Sequence, residues 1–392
     1  MSKALSNVVV VAYGRSPVGR AYKGSLKNLH PVDLGAQVLK GVLARVPKLD
    51  PKDIDDIVVG CARPQDFQGN NIARLVALRA GVPYTVSAQT INRFCSSGLQ
   101  AIATAANAIA AGQADVVVAG GVEMMSYMPS MKAGSTSKDV FNEWLAENIP
   151  GVYMPMGITA ENVAAKYNVS RQAMDELAVA SHKKAAAAQE TGKFDDQIIP
   201  IEAIDDEGKT ITVTKDEGIR PNSTVEKLAA LTSPFKADGK VTAGTSSQTS
   251  DGAGFVVLMS KEKADELGIA PIAKFLGFAT GGVEPHVMGL GPIAAVPKVF
   301  KITGLSMKDI DVIELNEAFA AQAIPVMDEL SMPREKVNPN GGAMAMGHPL
   351  GATGAVLTCK ALSELKRTNG KYGLVTMCIG GGMGAAGIYE MC

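Results

Sequence analysis

Cys95, His348, Cys378 and Asn316 are the residues of this 392-residue chain whose types and settings could do chemistry together. Cys95 lies in Ile91-Asn92-Arg93-Phe94-Cys95-Ser96-Ser97-Gly98-Leu99-Gln100, between a strand-like run at 85–90 and a helix of small residues at 101–111, closed by Gly112. A thiol where a strand turns into a helix meets unpaired N–H groups and the positive end of the helix dipole. It is therefore expected to ionise more easily than a free thiol, whose pKa is about 8.5. His348 sits in Gly341-Gly342-Ala343-Met344-Ala345-Met346-Gly347-His348-Pro349-Leu350-Gly351, and Cys378 in Met377-Cys378-Ile379-Gly380-Gly381-Gly382-Met383-Gly384. Asn316 opens Asn316-Glu317-Ala318-Phe319. A thiolate, an imidazole and a second thiol in one cleft suit covalent acyl transfer, in which one group attacks and the others move protons. Glycines beside each group let backbone N–H groups approach a developing oxyanion. Each residue also has a purely structural reading: both cysteines as core, His348 as a satisfied turn residue, Asn316 as an Asx-turn cap.

The elements that must position these residues alternate. A strand at 7–13 is followed by a helix at 31–46, a strand ending at Gly60, a helix at 72–80, the cysteine unit, and a buried strand at 114–121. Such alternation argues for an α/β layered fold. From 121 to 244 methionines, turns and charge become frequent, around one strong helix from Ser170 as N-cap to Gln189 and a polar segment at 202–216. This stretch reads as an insertion of loops and a helical hairpin, the kind of excursion that carries binding residues. Strands at 254–259 and 272–280 and a helix at 292–303 follow.

The second half echoes the first. Lys308-Asp309-Ile310-Asp311-Val312-Ile313 repeats Lys52-Asp53-Ile54-Asp55-Asp56-Ile57, and Val337-Asn338 repeats Ile91-Asn92. Ser97-Gly98 and Thr353-Gly354 each lead into a long helix, then a strand, then paired glycines. Matches in this order imply an internal duplication. If the halves face each other across a pseudo-twofold axis, Cys95 comes close to His348 and Cys378.

Composition bounds the rest. With 46% hydrophobic residues the chain can bury large cores, and a net charge of −1 gives no electrostatic case for nucleic acid or an anionic membrane. No apolar run reaches the roughly 18 residues of a transmembrane helix, and the start reads as neither signal nor transit peptide. The five cysteines are scattered, without a C-x-x-C pair, which argues against a disulfide framework, a structural zinc site or any metal, and for a cytoplasmic protein. Gly382-x-Gly384-x-x-Gly387 lies too close to the C-terminus to open a dinucleotide-binding βαβ unit. Cys61, Cys359 and Cys392 read as structural or incidental. His30 and His286 have no assigned chemistry, and His182, beside Lys183 and Lys184, reads as lying on a solvated face.

Asn92-Arg93-Phe94-Cys95-Ser96-Ser97-Gly98, Asn316-Glu317-Ala318-Phe319, Gly347-His348-Pro349 and Cys378-Ile379-Gly380 resemble the four signature blocks of the thiolase family, in order and at family spacing. The resemblance covers essentially the whole chain. It implies a duplicated five-layered αβαβα core, with 1–120 plus 250–271 as the N-terminal half, 121–249 as a loop domain that holds coenzyme A, and 272–392 as the C-terminal half. It implies that Cys95 attacks the keto carbon of a 3-ketoacyl-CoA and keeps the acyl group, and that His348 takes the Cys95 proton. Cys378 protonates the departing acetyl-CoA carbanion. Asn316, through a water, and His348 support the enolate oxygen, and the N–H groups of Cys95 and Gly380 support the oxyanion. By the same resemblance Arg220, Phe235, Ala243 and Ser247 contact coenzyme A, while Met288 and Phe319 line the acyl pocket. Coenzyme A is then a substrate and no cofactor is expected. Thiolases are dimers or dimers of dimers.

Within the family, acetoacetyl-specific enzymes place a histidine before the Met-Gly of the loop domain, whereas this chain has Pro155 in Tyr153-Met154-Pro155-Met156-Gly157. That departure, with Thr245-Ser246-Ser247-Gln248-Thr249-Ser250-Asp251-Gly252, resembles the degradative branch, which cleaves longer 3-ketoacyl-CoA in fatty-acid β-oxidation. The alternative is a biosynthetic enzyme condensing two acetyl-CoA. A decarboxylating ketoacyl synthase shares the fold but uses two histidines beside its cysteine, where this chain offers Cys378. An inert CoA-binding homologue would need a broken block, and all four are intact.

Overall fold

The computed structural model describes residues 5–128 and 141–392. The first four residues and 129–140 of the expected loop domain lie outside that description. Twelve strands are named here: β1 Val8–Arg15, β2 Gly19–Arg20, β3 Asp56–Gly60, β4 Ser87–Ile91, β5 Val116–Met124, β6 Ile201–Ile204, β7 Thr210–Val213, β8 Ser250–Ser260, β9 Ala273–Gly282, β10 Val312–Leu315, β11 Tyr372–Ile379 and β12 Met383–Met391.

The duplication is visible in the strand order. One half runs β4-β3-β5-β8-β1 and the other β10-β11-β12-β9. In the first, β3 is parallel to β4 and β5, while β5–β8 and β8–β1 are antiparallel. In the second, Val337 lies parallel beside Ile313, in the place of β4. The pair β10–β11 is parallel, and β11–β12 and β12–β9 are antiparallel. The halves join edge to edge through Val9↔Lys274 and Val10↔Ala273, giving one continuous 10-stranded sheet. The repeated aspartates do the same work in both halves. Asp55 Oδ2 accepts the N–H groups of Asp115 and Val116, and Asp311 Oδ2 accepts those of Lys371 and Tyr372. Each carboxylate thus starts the strand that leads to the next site loop.

Three apolar clusters define five layers. Helices Pro31–Leu43 and Ile72–Arg79 cover one face of the first half. Helices Gly291–Thr303 and Ala320–Glu329 cover one face of the second. Between the two halves lie helices Ser97–Ala110 and Thr353–Thr368, packed against the inner faces of both. A helix buried all round can carry no polar face, which explains the run of Ala101, Ile102, Ala103, Ala105 and Ala106, all fully buried. The charged residue in its partner, Lys360, is matched: its Nζ donates to Glu314 Oε2 at 2.7 Å and to the Gly341 carbonyl at 2.7 Å. That clamp holds the start of the His348 loop to the strand that ends at Asn316. The two central helices meet at their N-termini through glycines. A Cβ on Gly354 would lie 2.2 Å from Leu99 N, and one on Gly98 2.8 Å from the Gly351 carbonyl.

The excursion leaves the sheet after Met124, beyond the expected boundary at 120, and returns at Ser250. It contains helices Glu143–Asn148, Met156–Lys166, Arg171–Glu190 and Val225–Ala229. Ser170 caps the long helix, accepting the Ala173 N–H. The polar segment at 202–216 corrects the reading of loops alone: β6 and β7 pair as a hairpin. The signal was there in alternation, since Ile201 and Ala203 are buried while Glu202 and Ile204 are exposed. A buried pair, Arg15 Nη1 to Asp216 Oδ1 at 2.7 Å with Nη2 to Oδ2 at 3.0 Å, fastens the excursion to the first strand. Gln197 Oε1 accepts from Arg15 Nε, and the Val18 N–H donates to Asp216, so both charges are hydrogen-bonded as well as paired.

Candidate active site

Cys95 lies in the single turn Phe94–Ser96 between β4 and the first central helix. The turn is held by its own side chains. Asn92 Oδ1 accepts the Phe94 N–H at 2.8 Å, and Ser97 Oγ accepts the Arg93 N–H at 2.9 Å while donating to the Phe94 carbonyl at 2.6 Å. Phe94 is left at φ 44°, a left-handed conformation that costs about 1–3 kcal/mol outside glycine. The strain is confined to the residue that aims the next side chain.

The backbone N–H of Gly380, in the turn after β11, favours the ionised form of the Cys95 sulfur. Cys378, two residues earlier, is buried, and the negative charge that Cys95 would carry raises its pKa, adding to the larger effect of burial. The turn Phe94–Ser96 packs against β11, the strand that carries Cys378. The turn Phe94–Ser96 packs against the turn Leu350–Ala352, just after His348.

His348 follows Gly347, which takes φ 108° and where a Cβ would lie 2.1 Å from Ser250 Oγ, so only glycine fits. The His348 N–H donates to Ser250 Oγ and to the Gln248 carbonyl, both at 3.1 Å. Its ring is bonded at both nitrogens: Nδ1 to Thr353 Oγ1 at 2.6 Å and Nε2 to Asn316 Nδ2 at 3.4 Å. Asn316 is fixed by its N–H to the Thr376 carbonyl at 3.0 Å, and its Oδ1 is buried with no partner among the described residues. The loops expected to converge do so.

The charge states differ from the sequence expectation. Burial pushes the Cys95 thiol up to about 11, although N–H groups from Gly380 and Cys95 itself pull the other way. The helix dipole loses to desolvation, because a dipole effect of about 1 kcal/mol is smaller than the cost of charging a buried sulfur. Burial lowers His348 to about 4. The resting pair at neutral pH is thus a thiol and a neutral imidazole, not a thiolate and an imidazolium.

Of the expected binding residues, Met288 and Phe319 are buried in one apolar cluster with Cys378, Ala318 and Met344. Phe235 stands edge-on to Phe319, ring centroids 6.2 Å apart. The Ser247 N–H donates to the Ala318 carbonyl, and Ser246 and Thr249 bridge to Phe319 and His348, so the loop domain is laced along two site loops. Arg220 and Ala243 are exposed on the loop domain, outside that cluster. Arg220 is tied to the site indirectly: Gln248 Nε2 donates to the Gly218 carbonyl, and the Gln248 carbonyl takes the His348 N–H.

Sequence reasoning missed the residues that hold these loops. His182 is buried rather than solvated: its Nδ1 accepts the Arg220 N–H at 3.1 Å, and burial, helped by the Arg220 charge, lowers its pKa to about 4. Neighbouring lysines hid the fact that position 182 faces inward. Glu123 Oε2 accepts the N–H groups of Ala62 and Gly351 at 2.7 and 2.8 Å, tying the two halves together behind the site. Glu317 accepts from Ser181 Oγ, Asn338 Nδ2 and the Met344 N–H. Only the unusual placing of an acidic residue within a buried strand could have flagged Glu123.

Two family models match the chain almost end to end: Thiolase, N-terminal domain over residues 8–262, and Thiolase, C-terminal domain over residues 269–391. The chain belongs to the thiolase family and is an acyltransferase. It is 52% identical over 396 residues to the 3-ketoacyl-CoA thiolase of Bacillus subtilis, covering 99% of this chain and 100% of that one. It is 45% identical to the peroxisomal 3-ketoacyl-CoA thiolase 2 of Arabidopsis thaliana, covering 98% of this chain and 84% of that one. The crystal structure of the Bacillus anthracis acetyl-CoA acetyltransferase superposes with a TM-score of 0.91 at 42% identity, covering 100% of both chains.

Proposed function

We propose that this chain cleaves 3-ketoacyl-CoA with free CoA to acyl-CoA and acetyl-CoA, in fatty-acid β-oxidation, by way of an acyl group on Cys95. The observation that carries the reading is the convergence of the site loops: the turn that holds Cys95 packs against β11, which carries Cys378, and against Leu350–Ala352, just after His348, whose Nε2 meets Asn316. His348 Nε2 takes the thiol proton and the sulfur attacks the keto carbon. The C2–C3 bond breaks, its electron pair passes to C2, and Cys378 donates the proton that releases acetyl-CoA. The Cys378 thiolate then takes the proton of the incoming CoA thiol. The CoA sulfur attacks the thioester, and Cys95 leaves and regains its proton from His348. The N–H groups of Cys95 and Gly380 stabilise the oxyanion in both tetrahedral states, and His348 with Asn316 stabilises the enolate oxygen. Arg220, Phe235, Ala243 and Ser247 hold the CoA arm, and Met288 and Phe319 receive the acyl chain. The reaction reverses as a Claisen condensation.

Pro155, where acetoacetyl-specific thiolases carry a histidine, favours chains longer than acetoacetyl. The printed name of the Bacillus anthracis neighbour favours a second reading, condensation of two acetyl-CoA. Turnover of acetoacetyl-, 3-ketohexanoyl- and 3-ketodecanoyl-CoA separates the two. The degradative reading expects the longer substrates to have the higher kcat/KM. Activity restricted to acetoacetyl-CoA would overturn it.

We also propose that the protein works as a dimer or a dimer of dimers in the cytoplasm. Its five cysteines are free. Strand β4 is an open sheet edge, and Phe67, Leu75, Leu78, Tyr84 and Phe94 are exposed on or beside the elements flanking it. An open edge with apolar neighbours is covered in a stable protein. Light scattering should return at least twice the chain mass, and Tyr84→Glu should lower it; a monomeric parent would end this reading.

A further inference from the structure

We propose that Thr353 is a positioning residue that, with Asn316, sets the tautomer of His348: its Oγ1 accepts a hydrogen bond from Nδ1–H, so that Nε2 is the ring's acceptor for the Cys95 thiol proton. This rests on the reading of His348 as the base. The contact is short, 2.6 Å, and both residues are buried. The other ring nitrogen faces an amide nitrogen, Asn316 Nδ2, which only donates. The Thr353 hydroxyl can meet either tautomer, and the Asn316 amide selects the one with Nδ1 as donor and Nε2 as acceptor.

The choice of a hydroxyl has a chemical consequence. A carboxylate on Nδ1 would fix the same tautomer but would also stabilise an imidazolium and invite a resting ion pair. A neutral oxygen at the first residue of the helix Thr353–Thr368 fixes the ring without adding charge, and the positive helix end opposes protonation. When the proton moves, the S–H bond of Cys95 breaks, its electron pair stays on sulfur, and a bond forms to Nε2. The other proton stays on Nδ1 throughout, donated to Thr353 Oγ1. The repeat supports the assignment from a second side. Ser97 stands at the equivalent helix start in the first half, and its hydroxyl holds the turn that carries Cys95. The same position therefore holds the nucleophile in one half and the base in the other.

The test uses the full-length protein with Thr353→Val, Thr353→Ser and Thr353→Asp. Thr353→Val should lower kcat for thiolysis by roughly 10- to 100-fold, the scale of losing the partner that orients an imidazole, with KM changed by less than about twofold. Thr353→Ser should return kcat to within a few fold of the parent. Thr353→Asp should raise the His348 pKa and bring an acid limb into the kcat profile where the parent is flat. With four histidines in the chain, ¹⁵N spectra of labelled protein should show Nδ1 of His348 protonated in the parent and both tautomers in Thr353→Val. Thr353→Val with parental kcat, or with Nδ1 still fully protonated, would overturn the proposal. His348→Ala is the separate control. If it keeps parental turnover, the role of His348 as base fails, while the nitrogen spectra still decide what Thr353 does.

Discussion

Replacing Cys95 by alanine should abolish thiolysis, with kcat/KM falling by about 10⁴- to 10⁶-fold, the range for loss of a covalent nucleophile. Incubation with acyl-CoA should then leave the mass of the protein unchanged, where the parent gains one acyl group. The fold should survive, because the turn is held by Asn92 and Ser97 rather than by the sulfur. The pH dependence follows from the burial of the thiol. A pKa raised to about 11 leaves the sulfur protonated throughout the neutral range, so the uncatalysed thiolate fraction climbs about tenfold for each pH unit. With His348 replaced by alanine, alkylation of Cys95 by iodoacetamide should keep rising from pH 6 to pH 9. A plateau already reached at pH 7 would mean a resting thiolate and would reject this account. His348, lowered to about 4, stays neutral above that value, so the loss of activity on acidification by its protonation should come near pH 4 and not near 6.5.

Replacing Cys378 by alanine should separate the two halves of the reaction. Turnover of 3-ketoacyl-CoA should fall by about 10²- to 10⁴-fold, because no group remains to give or take the carbon-bound proton. Transfer of an acyl group from acyl-CoA to Cys95 breaks no carbon–hydrogen bond, and a CoA thiolate can leave without the proton that Cys378 would give it, so the adduct should still form, more slowly than in the parent. Cys378 is buried beside Met288, Phe319 and Met344, so the substitution leaves only a small cavity and should cost about 1 kcal/mol of stability. Parental turnover in Cys378→Ala would sink the assignment of the proton to Cys378.

How much was legible in the sequence depended on whether a residue's setting is local. Strands such as β1, buried along its whole length, and helices such as Ile72–Arg79 announce themselves by their own pattern. The repeated Asp55 and Asp311 made the doubling readable, because each must satisfy the start of a neighbouring strand. The site loops were legible for the same reason: their glycines and polar residues interrupt otherwise apolar strands. What stayed hidden was long-range. Glu123 meets Gly351, and His182 meets Arg220, only after the halves close and the excursion docks. The protonation of Cys95 was misread because a helix start is visible in a sequence and the packing that strips water from a sulfur is not.

The glycine contact between the two central helices has a bearing on how such a chemistry could arise. Gly98 and Gly354 let two helix starts touch, which brings one hydroxyl of each, Ser97 and Thr353, to the same small region. A single ancestral unit would have offered this feature once, with nothing opposite it. Only a molecule facing its own likeness could give one copy of the motif to an attacking atom and the other to a proton acceptor. On this view the division of labour was available as soon as two like units met, before either had diverged, and later change needed only to make the two sides unlike.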